Sequence, residues 1–587
     1  MVGVSGTGGS GPEGGDTTVI TSRHAEAPAR PASGAEPEFR RSFRRWGGAT
    51  FLVVTGALLA LSLRATDGRF IYLIDDPAIH LSIAENLVHH GTWGVVPGEF
   101  QSASSSPVWT LLLSAWVVLA GLVRALGVPL SYDIGPFLIN VVVGVWVVDL
   151  VARRQRVLLA GRRRPLDALA VACLVVGVLF LPALALLGME HLLQIAVVLT
   201  VLAAFERVGT APAVGVRAAI PYLLVGVMVL VRFEGLFVAV GLALASVALA
   251  VPALADADGP RPWRRQATQA VLILASAGVA LGGFALVNLL MGQSYLPNSV
   301  LAKGQGINGG GRSALRLDAI LERLTSDPLL ATMVVVIAGA VAVGWRQQRR
   351  YVFPAIVFLV ATGLHVVVAQ MGWYERYQAY LVALGVVVLL AIAAETVPAW
   401  RRAPARAFLV PVLTLLLLLL CATKVSLTVD VPLGVQDTYQ QRYQAARFLA
   451  EYYDGRAVAT SELGYISLEH EGPLTDVLGL GDFDVLQDRR ALDQRPDADY
   501  WQQLGRDRGF EVAVVYPFVL LFNAPPDWTM VASLRLDHEP VTAFQGELQF
   551  WATDPSEVDP LIAHLREFET TLPAGVTLVF DPAVAER

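Results

Sequence analysis

The sequence predicts a polytopic α-helical membrane protein that carries a small α/β domain at its C-terminal end. Of its 587 residues, 55% are hydrophobic and 16% are charged, and the mean hydropathy is +0.55. These values are too apolar for a soluble protein of this length. Apolar runs long enough to cross a bilayer recur between residues 48 and 427, whereas residues 428–587 alternate helix and strand signals.

The N-terminal segment, residues 1–45, is predicted to be a disordered cytoplasmic tail. Residues 1–38 are rich in Gly, Pro, Ser and Thr and offer little that a core could bury. The basic stretch "RRSFRRW" (40–46) precedes an apolar run that is too long and too far from the start for a typical cleaved signal peptide. We interpret this run as a signal anchor whose arginines stay in the cytoplasm.

Twelve apolar segments define a predicted transmembrane domain over residues 46–427. They lie at about 48–66, 107–126, 134–152, 168–187, 189–206, 218–232, 235–252, 268–291, 329–345, 351–370, 377–397 and 407–427. Basic loops separate several of them, at 153–164, 207–217, 261–265, 346–350 and 401–406. The positive-inside rule predicts that all these loops are cytoplasmic.

The basic loops are consistent with this rule only if one early segment does not cross. If all twelve segments cross, the loop 153–164 falls outside the cell, and the later basic loops follow it. We therefore predict that 107–126 lies at the interface or re-enters the bilayer. Eleven crossings then place the N-terminus in the cytoplasm and residues 428–587 outside the plasma membrane.

On this topology, the polar clusters of the membrane domain all meet at its outer face. They occupy the loops 67–133, 188–191, 292–328 and 372–376 and the bend 232–235. An active site at the outer surface of the membrane has this arrangement.

Residues 428–587 are predicted to form an extracytoplasmic soluble α/β domain. A helix is expected at 435–453, and strands are expected at 457–460, 510–517, 547–553 and 576–580.

Several function classes find no support in the residues. The two cysteines, Cys173 and Cys421, lie in apolar runs and predict neither a disulfide framework nor a metal site. The net charge of −6 argues against a nucleic-acid partner. No Walker loop, Rossmann fingerprint or HExxH motif occurs.

The most unusual stretch is "DDPAIHLSIAENLV" (75–88), where two carboxylates follow an apolar segment. Asp76 before Pro77 is typical of a helix N-cap followed by the first helical position. An apolar residue at every fourth position then predicts a short helix along the membrane surface. Capping accounts for Asp76 and leaves Asp75 either solvated or available for chemistry.

Further candidates interrupt apolar segments or stand in outer loops. Arg232 and Glu234 are ionisable groups at membrane depth, so they require a partner or a cavity, and a mutual ion pair is one interpretation. Glu190 and His191 open a span and are either interfacial or part of a site. Lys303, one of two lysines, is suited to hold a phosphate or to anchor the chain at headgroup level.

The segment "GWYERYQAY" (372–380) combines Trp373, Tyr374 and Tyr377 with Glu375 and Arg376. Aromatic residues at this position are typical of the belt at a membrane interface. Aromatic residues next to charges also form sugar-binding surfaces, and the sequence does not separate the two interpretations.

Taken together and in this order, these clusters resemble the GT-C superfamily of membrane glycosyltransferases, and in particular the mycobacterial terminal arabinofuranosyltransferase group. The resemblance extends from the first outer loop into the C-terminal domain. It is carried by "DDPAIHLSIAENLV" (75–88), "VPGEF" (96–100), "SSSPVWTLLL" (104–113), "GMEHLL" (188–193), "VRFEGL" (231–236), "LPNSVLAKG" (296–304), "VATSELGYISL" (458–468) and "TDVLGLGD" (475–482). Phe233 stands where the group has proline, and Met189 where it has leucine.

The resemblance implies an inverting transfer of a sugar, with arabinofuranose as the expected one, from a polyprenyl-phosphate donor to a cell-envelope glycan acceptor at the bilayer surface. It gives the role of catalytic base to Asp75 or Asp76, and Asp75 is favoured because Asp76 is the better cap. Lys303, Arg232 and Arg376 are expected to bind the donor phosphate. The remaining substrate-binding candidates are Glu190, His191, Glu234, Asn298, Trp373, Tyr374, Glu375 and Trp109.

Some relatives use a divalent cation such as Mg, Mn or Ca, which an acidic pair and a phosphate could hold, but no residue demands one and no metal ligand is predicted. Mannose or another polyprenyl-linked sugar stays open as the donor. A transporter or flippase of lipid-linked sugars is the main alternative, although no internal repeat is present. A non-catalytic membrane scaffold with a glycan-binding outer domain would leave the acidic pair and Lys303 without a role.

Overall fold

The computed structural model of the protein describes residues 35–154, 165–208, 215–249, 262–304, 317–345, 349–400, 420–493, 495–520 and 523–585. Its N-terminal two thirds is a bundle of apolar helices, and its C-terminal part is a sheet flanked by helices. The helices of the bundle are α1 (Ala35–Ala65), α2 (Asp76–His90), α3 (Pro107–Ala125), α4 (Gly135–Arg154), α5 (Pro165–Val178), α6 (Leu181–Leu187), α7 (His191–Val208), α8 (Ile220–Val231), α9 (Gly235–Ala248), α10 (Pro262–Leu290), α11 (Asn298–Gly304), α12 (Leu317–Thr325), α13 (Pro328–Gly344), α14 (Val352–Val368) and α15 (Ala379–Trp400).

The length and composition of these helices agree with the predicted membrane class. Within the described ranges, four helices are long and apolar enough to cross a bilayer, namely Arg40–Ala65, Pro107–Ala125, Gly135–Arg154 and Trp263–Leu290. Two bent pairs, Ala168–Val178 with Leu181–Leu187 and Leu317–Thr325 with Pro328–Gly344, raise this number to six if each pair forms one span. The eleven crossings stay a prediction, and most of the segment 407–427 lies outside the described residues.

The packing of α1 against α4 bears on the segment that was predicted not to cross. Arg44 Nε lies 2.7 Å from Asp149 Oδ1, and Phe51 packs against Gly144, so the two helices run antiparallel. The chain between them therefore leaves and re-enters the bundle at the same end. Because a single crossing by α3 would bring it to the opposite end, this packing supports an interfacial or re-entrant α3.

Two sequence-based boundaries differ from the structure. Residues 35–45, predicted as part of the disordered tail, continue α1 as regular helix, while residues 1–34 lie outside the described part. The segment 168–187 breaks into two helices because Phe180 takes a left-handed conformation (φ +56°) and Pro182 lacks a backbone N–H.

A connecting helical stretch joins the bundle to the sheet. It consists of Ala422–Val429, Val431–Asp437, a π-helical turn at Thr438–Tyr443, and Gln444–Tyr452. The helix predicted at 435–453 is confirmed, with the π turn as an addition.

The C-terminal domain contains one six-stranded mixed sheet in the order β2-β1-β3-β5-β4-β6. The strands are β1 (Val458–Thr460), β2 (Leu474–Asp476), β3 (Val512–Val515), β4 (Thr529–Leu536), β5 (Glu547–Ala552) and β6 (Val576–Phe580). Its helices are Leu463–Glu469, Phe483–Ala491, Ala498–Arg508, Pro517–Leu520 and Val558–Glu569. The sheet confirms the predicted α/β class and the four predicted strands. The sequence analysis did not predict β2 or β4.

Strand direction places one edge of this sheet against the bundle. β1 pairs in parallel with β2 and β3, so the carboxyl ends of these three strands lie together. Residues just past two of these ends contact the start of α2. The carboxyl ends of parallel strands are the usual location of a functional site in such a sheet. The backbone N–H of Tyr72 donates to Tyr465 Oη (3.0 Å), and Ser82 Oγ donates to the Ser467 carbonyl (3.0 Å).

The aromatic core of the sheet domain offers a test of this architecture. Phe550 of β5 is fully buried, and its ring lies 5.1 Å from that of Phe448. We expect Phe550→Ala to lower the free energy of unfolding of the domain by about 3–5 kcal/mol, because it leaves a cavity. Thermal unfolding of the purified full-length chain in detergent measures the change.

Val579→Ala in β6 is the matched control, because this side chain is exposed and its loss should change the free energy of unfolding by less than about 0.5 kcal/mol. Equal effects of the two substitutions would contradict the assigned core.

Candidate active site

The start of α2 separates the two aspartates of the first loop. The helix begins at Asp76, so Asp75 occupies the N-cap position, and its side chain makes no capping hydrogen bond. The sequence analysis was wrong to assign the N-cap to Asp76, because Pro77 stands at the second helical position rather than the first. The reason for preferring Asp75 over Asp76 as the base is therefore removed.

A narrow cleft with a cavity volume of about 50 Å³ opens beside Asp76. Its walls come from α2, from the segment between α2 and α3, from α11, from three loops of the bundle and from the sheet domain. The lining residues are Asp76, Ile79, His80, Ala103, Ser105, Met189, Arg232, Ser299, Arg376, Tyr377 and Leu480. The cleft thus combines all five of the polar clusters that the sequence analysis expected to meet at one face.

One ion pair crosses the cleft. Arg376 Nη1 lies 2.5 Å from Asp76 Oδ2, and the guanidinium group also donates to Tyr377 Oη at 3.0 Å. The Arg376 side chain is 4% exposed, whereas that of Asp76 is 29% exposed. Asp76 is therefore the accessible member of a strong, charge-assisted pair.

A second arginine, Arg232, lines the cleft and is surrounded by carboxylates. Arg232 Nη1 lies 2.5 Å from Glu190 Oε1, and its Nη2 and Nε bond to the two carboxylate oxygens of Glu234 at 2.8 and 3.1 Å. His191 Nε2 is 3.4 Å from the same guanidinium group. The predicted pairing of Arg232 with Glu234 is present, and Glu190 and His191 join it.

His80 lies one helical turn after Asp76 and lines the same cleft. Its Nδ1 is 3.1 Å from Thr110 Oγ1 and 3.3 Å from Ser104 Oγ. Burial lowers the pKa of His80 below its usual value of 6.5, so the ring is neutral at pH 7. A neutral imidazole can exchange hydrogen bonds with these hydroxyls without adding charge to the cleft.

Asp75 faces the sheet domain. Its Oδ2 accepts the backbone N–H of Gly464 at 3.1 Å, and Oδ1 lies 3.9 Å from Arg442 Nε, which in turn bonds Glu462 Oε2 at 2.7 Å. A Cβ atom on residue 464 would collide with the Asp75 carbonyl oxygen, so this approach requires glycine. Asp75 therefore joins α2 to the domain and is 16% exposed.

A short loop of the sheet domain closes the cleft. Buried Asp476, at the end of β2, accepts the backbone N–H groups of Leu478 and Gly481 at 2.9 and 2.7 Å. These bonds fix the loop that carries Leu480 to the cleft wall. The sheet domain thus contributes directly to the site.

The segment 372–375 forms a left-handed turn just before Arg376. Gly372, Trp373, Tyr374 and Glu375 have φ values of +80°, +44°, +60° and +59°. A left-handed backbone conformation costs a non-glycine residue of order 1–3 kcal/mol of conformational free energy, so neighbouring contacts must hold the turn. Glu375 pairs with buried Lys424, and Tyr374 Oη donates to the Leu427 carbonyl at 2.5 Å.

The other predicted site residues lie outside the cleft lining. Glu375 and Tyr374 hold the turn, and Trp373 contacts the sheet domain. Trp109 is fully buried in α3. Asn298 is buried next to Ser299, and its backbone N–H donates to the Ser102 carbonyl at 2.9 Å. The backbone of Lys303 is in α11, but its side chain lies outside the described residues.

Sequence reasoning missed His80, Leu480 and the pair Arg442–Glu462, and it named Tyr377 only as one aromatic residue of the segment 372–380. His80 was detectable, because it stands four residues after Asp76 on the same helix face. Leu480 lies in a segment that resembles the family, but nothing in the sequence shows that it reaches the first loop.

The residues around the cleft do not fit a divalent cation. In the part of the chain that the structure describes, no three or more His, Cys, Asp or Glu side chains gather as metal ligands. Asp76 and Glu190 are each engaged by a guanidinium group, which takes the place that a cation would hold.

Comparison with known proteins gives a match in the C-terminal domain and distant structural similarities. Residues 434–553 match a family described as "Domain of unknown function (DUF8728)". No curated protein matches the chain.

Three solved structures are similar. ArnT from Cupriavidus metallidurans, bound to undecaprenyl phosphate, is 15% identical with a TM-score of 0.45, over 86% of this chain and 98% of that chain. The oligosaccharyltransferase of Archaeoglobus fulgidus, in a complex with Zn and sulfate, is 14% identical with a TM-score of 0.43, over 90% and 75%. AglB from the same organism, with an inhibitory peptide and a dolichol-phosphate, is 12% identical with a TM-score of 0.45, over 91% and 76%. With TM-scores below 0.5, these similarities do not establish a shared family.

The contact between Asp75 and the sheet domain predicts a pH dependence of stability. Burial raises the pKa of Glu462 from its usual value near 4.5 to about 8, against the opposing effect of Arg442. Between pH 4.5 and 8 the folded state therefore holds a proton on Glu462 that the unfolded state has released. The stabilisation that Glu462 provides is full below about pH 4.5 and is lost as the pH rises through 8.

Thermal unfolding of wild type and Glu462→Gln at pH 5, 6.5 and 8 measures this dependence. The difference in midpoint, wild type minus variant, should fall as the pH rises. A difference that stays constant or grows would show that Glu462 is ionised throughout.

Proposed function

We propose that the protein is a GT-C type glycosyltransferase that moves a sugar from a polyprenyl-phosphate donor to a cell-envelope glycan. The single observation that carries this proposal is the cleft itself, where one accessible carboxylate faces two buried guanidinium groups. A glycosyl transfer from a lipid phosphate needs this pair of functions, a base for the acceptor and cations for the departing phosphate.

Asp76 is assigned as the base. Its carboxylate accepts the proton of an acceptor hydroxyl while the hydroxyl oxygen attacks the anomeric carbon of the donor. The bond between that carbon and the phosphate oxygen breaks, and its electron pair leaves with the polyprenyl phosphate. A single displacement of this kind inverts the anomeric configuration. Asp76 also stabilises the positive charge that develops at the anomeric carbon, as carboxylates do in glycoside hydrolysis.

Arg376 is assigned to the phosphate. Its guanidinium group pairs with Asp76. A donor phosphate that enters the cleft competes for the guanidinium group, and Asp76 then loses a cationic partner and becomes a stronger base. Donor binding thus prepares the carboxylate for the second substrate.

Arg232, at the cleft wall, stabilises the negative charge of the same departing phosphate. Its guanidinium group is held by Glu190 and Glu234, so it is fixed in place before the substrate arrives. Preorganised cations stabilise developing charge without the cost of reorientation. Lys303 is kept as a further proposed contact to the donor phosphate.

The remaining assignments follow from the sequence resemblance and the charge of the site. Arabinofuranose is the sugar we propose, with the donor entering from the bilayer and the acceptor from the side of the sheet domain. The proposed location is the plasma membrane, with the N-terminus in the cytoplasm and residues 428–587 outside.

Substitution of the two aspartates tests the assignment. Asp76→Asn should lower the transfer rate by roughly 10²–10⁴-fold, the usual contribution of a general base. Asp75→Asn, the matched control, removes a charge at the neighbouring residue and should lower the rate by less than about 10-fold, because that side chain bonds the sheet domain. The assay uses purified protein, a panel of radiolabelled polyprenyl-phosphate sugars and a cell-wall glycan.

The reverse order of effects would give the role of base to Asp75. Transfer that survives both substitutions would refute the proposed mechanism. Wild type that binds the lipid but transfers no sugar to any acceptor would favour a transporter of lipid-linked sugars.

A further inference from the structure

A pair of exposed aromatic rings stands where the bundle meets the sheet domain. The rings of Trp373 and Phe544 have centroids 5.0 Å apart and planes inclined by 34°. The two residues are 39% and 46% exposed. Because large aromatic side chains usually gain by burial, two rings that contact each other at a tilt and stay open to solvent indicate a binding surface.

Both halves of this pair are held rigidly. On the bundle side, the left-handed turn 372–375 is fixed by Lys424 and by the Leu427 carbonyl. On the sheet side, the loop before Phe544 is fixed by the buried carboxylate of Asp437. This carboxylate accepts from the backbone N–H groups of Val541 and Thr542 at 2.6 and 2.8 Å and lies 2.6 Å from His538 Nε2.

The same turn serves both the aromatic pair and the cleft. Trp373 lies at one side of the turn, and Arg376, three residues later, reaches Asp76 at the other. A molecule that rests on Trp373 is therefore next to the cleft where the base lies. The strain of three consecutive left-handed residues is explained if the turn must present both side chains at once.

We propose that Trp373 and Phe544 form a platform that binds a sugar ring of the acceptor glycan, an inference that rests on the proposed function. The C–H face of a sugar ring packs against aromatic faces, while neighbouring polar groups bond its hydroxyls. Exposed Gln545, the residue after Phe544, supplies such a group.

A glycan fits this surface better than a lipid chain does. Half of the platform belongs to a loop of the sheet domain rather than to a membrane helix, so the rings extend toward the side from which a soluble substrate comes. Phe544 also contacts Tyr516, which follows β3 at the edge of the sheet that faces α2.

Saturation-transfer NMR with the purified full-length protein tests the platform without requiring catalysis. The probes are a soluble arabino-oligosaccharide and a soluble manno-oligosaccharide. We expect wild type to bind at least one of them, and Trp373→Ala and Phe544→Ala each to weaken that binding at least 10-fold. Trp373→Phe, which keeps an aromatic face, should restore most of it.

Two further variants show whether sugar binding belongs to these two rings and is separate from catalysis. Trp263→Ala removes a similarly exposed tryptophan at the start of α10 and should leave binding unchanged. Asp76→Asn should bind the oligosaccharide like wild type while losing transfer. In the transfer assay, the two platform variants should raise the KM for acceptor and leave the KM for donor unchanged, whereas collapse of the turn would raise both.

Each outcome decides one of the two proposals. Oligosaccharide binding that depends on both rings, in a protein that transfers no sugar, supports the platform and contradicts the glycosyltransferase. Transfer with an unchanged acceptor KM in both platform variants contradicts the platform alone. Wild type that binds neither oligosaccharide would overturn the platform. Platform variants that lose only their association with phosphatidylglycerol vesicles would also overturn it and would identify Trp373 as a membrane anchor.

Discussion

The burial of two guanidinium groups at one end of an apolar bundle is the constraint on which the rest of the site depends. A buried charge is tolerated only with a partner of opposite sign, and Arg232 and Arg376 find theirs in Glu190, Glu234 and Asp76. These partners come from three separate segments of the chain. Pairing of Arg376 brings the first loop to the turn before α15, and pairing of Arg232 brings the turn before α7 to the bend before α9.

The sheet domain completes this arrangement from the other side. Asp75, which is adjacent to the cleft residue Asp76, is held by the Gly464 N–H, while Leu480 closes the cleft from a loop that Asp476 orders. The two neighbouring aspartates thus have different positions, since Asp75 joins the bundle to the sheet domain and Asp76 lines the cleft. This division answers why a helix start carries two carboxylates when a single cap would need one.

Much of the architecture follows from the sequence because hydrophobic period and charge placement carry it. The apolar helices, the α/β class of the C-terminal domain and four of its strands were predictable, and so were Asp76, Arg232 and Arg376, since ionisable residues in apolar surroundings are expensive. The strand β2, Leu474–Asp476, escaped prediction because it holds one apolar residue and ends in Asp, which strands disfavour, whereas the equally short β1 lies in the apolar run 457–460. No local pattern marks the pairing of Asp76 with Arg376, 300 residues apart.

Some features were not predictable for a different reason. Trp373, Tyr374 and Glu375 have no preference for positive φ, so the left-handed turn arises from tertiary contacts with Lys424 and Leu427. Tyr374 and Glu375 consequently hold the backbone, whereas the sequence pattern predicted contacts to substrate. The choice between Asp75 and Asp76 depended in the same way on a one-residue shift in the start of α2.

The central claim is that the cleft binds a lipid-linked phosphate at Arg376. The most direct measurement is a cryo-electron microscopy structure of the protein in nanodiscs with a non-hydrolysable polyprenyl-phosphate sugar. The account predicts phosphate density within hydrogen-bond distance of Arg376, with Asp76 released from the ion pair and next to the anomeric carbon. Phosphate density deep among the membrane helices, with the Asp76–Arg376 pair intact, would contradict it.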